Sequence, residues 1–221
     1  MKRLSTSSKI YLGLVVAMIA LRAVLQNVQV ERLIPWPVVT AAVVLGLVGV
    51  QLAPHSGFPE FLSSEVSDTQ RFVVPVLVGL GFGIAIVVLD VISPLGEVHA
   101  PFPDSLAVYG FAALFEEIIL RLFLTTFLVW LISRVILRGR AQKLVFWAVA
   151  VGVAVLYLLV QLNAYATHVG VLTLPILVQM VLLIGVYSVV AAYVFRKAGL
   201  FAPEVMRLSF YLVWHIIWGA I

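Results

Sequence analysis

Residues 144–165 read LVFWAVAVGVAVLYLLVQLNAY. The run carries no charge, and its first side-chain amide comes at Gln161. A helix that crosses a bilayer needs about 20 mostly apolar residues. A barrel strand would instead alternate apolar and polar positions over about 10 residues. This stretch does not alternate, so it is read as a membrane-spanning helix. Six further stretches follow the same pattern, giving seven candidate spans: Ile10–Leu25, Ile34–Ala53, Phe72–Ile92, Ser105–Leu137, Leu144–Tyr165, Leu172–Phe195 and Pro203–Ile221.

Composition agrees. Hydrophobic residues make up 63% of the 221 and charged residues 11%, with a mean hydropathy of +1.17. Soluble domains carry about 25% charge, and a soluble exterior has to be wet, which so apolar a chain cannot supply. A cytosolic globular enzyme, a disordered chain and a coiled coil are excluded. The expected fold is all-α, a polytopic transmembrane bundle of about seven spans forming one membrane domain over 1–221. Residues 1–104 hold spans one to three, and 105–221 hold the spans that bear motifs. The chain has no cysteine, hence no disulfide, thiol nucleophile or thiolate metal site.

The net charge of +4 reflects basic loops rather than a nucleic-acid surface. Lys2, Arg3 and Lys9, then Arg134, Arg138, Arg140 and Lys143, then Arg196, Lys197 and Arg207 fall on one side of a seven-span bundle. That side is expected to be cytoplasmic. The N-terminal run is too long for a signal peptide and has no small-x-small cleavage site, so it is read as a retained helix. The chain is expected in a prokaryotic inner membrane, N-terminus inside.

Ionisable groups inside spans are costly and by default functional. Arg22 is read as snorkelling at a span end, Asp90 as interfacial, Arg207 as lying near the basic side, and His55 and His99 as idle loop residues. Glu116, Glu117 and Arg121 stand within span four. Glu117 and Arg121 are helical i,i+4 neighbours and can pair. Glu116 points about 100° away and finds no partner on its own helix. His168 ends span five, after Gln161, Asn163, Tyr165 and Thr167, and His215 sits in span seven. With Glu116 roughly 16 Å in from the outer side, at 1.5 Å per residue, all three groups can share the outer half of the membrane. Peptide hydrolysis needs a base for water, a proton for the leaving amine and a donor for the oxyanion, and a Glu with two His can provide these.

These residues resemble the CAAX protease and bacteriocin-processing (CPBP, or Abi) family of intramembrane glutamic proteases. The family's EExxxR motif reads Glu116-Glu117-Ile118-Ile119-Leu120-Arg121. Its FxxxH motif reads Ala164-Tyr165-Ala166-Thr167-His168, with Ala in place of Phe. Its HxxxN motif reads His215-Ile216-Ile217-Trp218-Gly219, with Gly in place of Asn. The resemblance runs from span four onward. It implies that Glu116 and His168 activate water, that Glu117 and Arg121 hold the helix geometry, and that His215 stabilises the oxyanion, all without a cofactor. With Gly at 219, either Asn163 supplies the second donor, or the oxyanion hole is weaker, or the chain keeps the fold without the catalysis.

The function expected is therefore intramembrane endopeptidase, cleaving a membrane-anchored or C-terminal (CAAX-like or sorting-signal) segment. The alternative is a non-catalytic scaffold or immunity-type binding protein. A transporter or proton relay is a third reading, against which stands the lack of paired, interrupted helices in two matching halves. Zinc held by Glu116, His168 and His215 is the alternative to metal-free chemistry. The expected partners are a membrane-anchored protein or peptide and the lipid bilayer, with no nucleic acid.

Overall fold

A computed structural model describes residues 5–25 and 35–221. Lys2, Arg3 and the expected start of span two at Ile34 lie outside them. The described residues form seven helices and no strand. They are α1 (Thr6–Val24), α2 (Trp36–Leu52), α3 (Thr69–Ile92), α4 (Asp104–Ile136), α5 (Gln142–His168), α6 (Leu174–Ala198) and α7 (residues 201–217, extended by a short turn Trp218–Ala220).

Five of these, α1, α3, α4, α5 and α6, are long and apolar enough to cross a membrane. The chain is an integral membrane protein with a helical bundle fold. The two remaining helices are the expected spans two and seven. Pro35 precedes α2 and Pro54 follows it, confining it to 17 residues. In α7 the apolar run is broken by Glu204 and Arg207, which are buried, and by His215, which lines an internal cavity.

Close helix approach is set by small residues, as expected where no hydrophobic force drives helices together within lipid. A Cβ at Gly79 of α3 would run into the Met206 carbonyl of α7, and one at Gly83 would meet Val213. Gly49 of α2 lies equally close to the Leu122 carbonyl of α4. The α3–α7 contact fixes the depth and rotation of the helix that carries Arg207 and His215.

The polar stretch 54–71 is not a free linker. Its Phe58 and Phe61 are buried under the bundle, Phe58 against Phe146 and Phe195 and Phe61 against Phe201. Arg71 closes it by donating to the carbonyls of Ser63 and Val66 at 2.6 and 3.0 Å.

Several helices change pitch where the polar residues lie. Wide, π-type turns occupy Ile118–Thr125 just after the Glu pair, Val181–Val186 just before Tyr187 and Ser188, and Leu212–Ile217 around His215. Such turns collect at functional sites, because the extra residue re-aims the side chains around it. In α4 the Thr125 hydroxyl donates to the Leu120 carbonyl at 2.6 Å and the Thr126 hydroxyl to that of Arg121 at 3.1 Å. The hydroxyls add a side-chain donor within the wide turn, where the Arg121 carbonyl also accepts the Thr126 N–H.

Candidate active site

Glu116 has its partners on another helix. Arg207 of α7 donates from Nη1 to Glu116 Oε2 and from Nε to Glu117 Oε1, the latter at 2.6 Å. Arg207, read from the sequence only by its place near the basic side, is buried and joins both carboxylates. A buried carboxylate pair cannot persist without a cation, and α7 supplies it. Tyr211, one turn on, donates its hydroxyl to Glu116 Oε2 at 3.0 Å.

The two carboxylates differ in surroundings. Glu117 is fully buried, with Arg207 on one oxygen and Arg121 Nε 3.6 Å from the other. Arg121 in turn donates to Ser188 Oγ of α6 at 3.1 Å. Glu117 and Arg121 thus lock α4, α6 and α7 together. Glu116 keeps 19% of its side chain exposed and lines a cavity.

That cavity measures about 550 Å³ and lies between α4, α5, α6, α7 and the connection after α3. Glu116, His168 and His215, from three separate helices, all line it. One face of α5 supplies Tyr157, Gln161, Tyr165 and His168, which recur at helical spacing. Gln161 donates to the Tyr157 hydroxyl at 3.2 Å. Asn163 is two residues from Gln161, roughly 200° around the helix; it is exposed and absent from the lining. It does not supply a second donor beside His215. Thr167 likewise turns away and donates to the Asn163 carbonyl.

His99 is not idle. It lies in the connection 93–103, and its Nδ1 is 3.1 Å from His215 Nδ1. Its ring also lies over Gly219, where a Cβ would come within 2.9–3.0 Å of it. The position where the motif expects Asn is therefore filled by an imidazole from another part of the chain. The reading of Arg22 also changes. Arg22 is fully buried with its guanidinium 5.0 Å from the Trp36 ring, rather than snorkelling. Asp90 accepts from the Leu95 N–H at 2.7 Å and from Trp218 Nε1 at 2.9 Å, tying the end of α3 to the end of α7.

Two signals in the sequence point to the missed residues. Arg207, Tyr211 and His215 are spaced i, i+4, i+8, one stripe of one helix, so a functional His215 brings Arg207 with it. For His99 the only sign is Gly219, which leaves room for a neighbour. Among the described residues, no three His, Cys, Asp or Glu side chains stand close enough to hold one metal ion. Glu116 is bonded to Arg207 and Tyr211, and His215 to His99.

No family model, no curated protein and no solved structure matches this chain.

Proposed function

We propose that this protein is a glutamic-type intramembrane endopeptidase that cleaves a membrane-anchored or C-terminal segment of its substrate. The observation that carries the reading is the convergence of Glu116, His168 and His215 on one cavity, with Glu117 sealed behind them. The motif resemblance to the CPBP family adds to it.

Glu116, oriented by Arg207 and Tyr211, and His168, at the cavity end of α5, take the proton of a water that attacks the scissile carbonyl. His168 then returns a proton to the leaving amine. His215 donates to the oxyanion, a contribution of about 2.7–4 kcal/mol where one such donor has been removed elsewhere. Tyr157, Gln161 and Tyr165 keep the cavity polar enough to hold water. The substrate side of the site is assigned to the outer half of the membrane, with the N-terminus cytoplasmic.

One observation favours a second reading, a binding protein that keeps the site without catalysis: Glu116 is committed to Arg207 and Tyr211. A single experiment separates the two. Purified protein in liposomes is incubated with a library of membrane-anchored peptides, and products are read by mass spectrometry. The peptidase reading expects cleavage by the wild type and its loss in Glu116→Gln. Peptide capture with no cleavage by the wild type supports the binding protein instead.

A further inference from the structure

His99 stands outside the cavity wall yet is built into it with more care than a loop residue needs. Its neighbours in the chain are clamped from both sides: the Tyr109 hydroxyl donates to the Val98 carbonyl at 3.1 Å and accepts the Ala100 N–H at 2.9 Å. The same Tyr109 stacks its ring on His215, centroids 3.8 Å apart and planes 10° apart. The connection is tied further back by Tyr165 of α5 donating to the Leu95 carbonyl at 3.1 Å and by Gln179 of α6 donating to the Ser93 carbonyl at 2.6 Å. The His99 ring meets the edge of Trp214 at 4.5 Å, with Gly219 beneath it. Asp90 closes the frame, one oxygen on Leu95 and the other on Trp218.

We propose that His99 is a positioning residue that sets the protonation of His215, its Nδ1–H donating to His215 Nδ1 so that His215 presents Nε2–H to the cavity. The proposal rests on the hydrolytic reading of that cavity. Two ring nitrogens 3.1 Å apart must have one proton between them: two lone pairs repel, and two N–H groups collide. A neutral imidazole carries its proton on one nitrogen, and the partner of the other nitrogen decides which. With Nδ1 occupied by His99, Nε2 is the nitrogen of His215 left to serve the cavity. The pair is neutral by preference. Burial lowers the proton affinity of His99, and the Asp90 carboxylate only partly opposes this. The Nδ1–H of His99 thus does for His215 what a backbone carbonyl or carboxylate does for other functional histidines, with the opposite outcome. An acceptor on Nδ1 would leave Nε2 a bare base, whereas a donor on Nδ1 makes Nε2 a hydrogen-bond donor suited to an oxyanion.

Gly219 belongs to the same device. Any side chain there displaces the His99 ring, although Gly219 is not itself part of the cavity lining.

The test uses full-length protein with ¹⁵N-labelled histidine in detergent micelles or nanodiscs, where two-bond ¹H–¹⁵N spectra report which nitrogen of each imidazole is protonated. The wild type is expected to show His215 locked as the Nε2–H tautomer. His99→Ala is expected to give exchange between tautomers, and His99→Gln, which keeps a donor, to restore the lock in part. Gly219→Ala, which keeps both histidines in the sequence but moves the His99 ring, is expected to give the same exchange of His215 as His99→Ala. In the cleavage assay His99→Ala lowers kcat about ten- to a hundred-fold, by analogy with groups that orient metal-bound imidazoles elsewhere, with KM unchanged. A His215 that is already exchanging in the wild type, or whose spectrum ignores His99→Ala, overturns the proposal. So does a loss of thermal stability alone. If the wild type cleaves nothing, the hydrolytic reading fails, and the tautomer spectra still decide the pair.

Discussion

Helix α5 borders two cavities of similar size, and they have little else in common. Its second half, with Tyr157, Gln161, Tyr165 and His168, faces the 550 Å³ cavity that also receives Glu116, Arg207 and His215. Its first half, with Val145, Val149, Gly152 and Val153, faces a groove of about 480 Å³ against Leu124, Leu128 and Ile132 of α4, and no ionisable residue lines it. Space in a membrane bundle is therefore not itself a sign of chemistry. What separates the two is the cost of placing charge away from water, which is met only where partners wait on other helices.

That contrast can be broken in several ways, the largest effect coming first. Glu116→Gln removes the base and is expected to lower peptide cleavage by about 10²- to 10⁴-fold, with the helical circular dichroism spectrum intact. Cleavage at the wild-type rate would make the polar cavity as inert as the groove. Arg207→Met leaves Glu117 with Arg121 alone and strips Glu116 of its cation. It is expected to cost about 3–5 kcal/mol of stability, read as a drop in the denaturation midpoint in detergent. A stability near that of the wild type would mean that the carboxylates do not depend on α7.

His215→Gln is expected to raise the barrier by about 2.7–4 kcal/mol through loss of the oxyanion donor, seen in kcat with little change in KM. Gly152→Ala gives the smallest effect. A Cβ there meets nothing within 4 Å, and a glycine-to-alanine change inside a helix is worth roughly 0.5–1 kcal/mol in favour of folding. Cleavage by this variant should match the wild type; a marked loss would bring the apolar groove into the substrate path.

Much of the fold is legible because the bilayer imposes it. Spans three to six begin and end within about three residues of α3 to α6. The face of α5 that lines the cavity is legible in part, since Gln161 and His168 are seven residues apart on one helix. Asn163 shares their polarity, but the helical period puts it on the other side. Arg207 is close in sequence to Arg196 and Lys197, but its spacing to His215 is the stronger sign. For His99 the sequence offers only the indirect sign of Gly219. Nothing within residues 93–103 indicates that Tyr165 and Gln179 hold that connection in place, because those bonds join residues 70 and 86 positions apart.

The central claim is that Glu116, His168 and His215 surround water within the bilayer. This cysteine-free chain allows that to be tested directly by labelling single-cysteine variants, Ala112→Cys and Ala164→Cys in the polar cavity and Gly152→Cys in the groove, with a charged thiol reagent in liposomes. The account predicts fast modification of the first two and protection of the third. Protection of both cavity positions, or modification of Gly152→Cys alone, would contradict it.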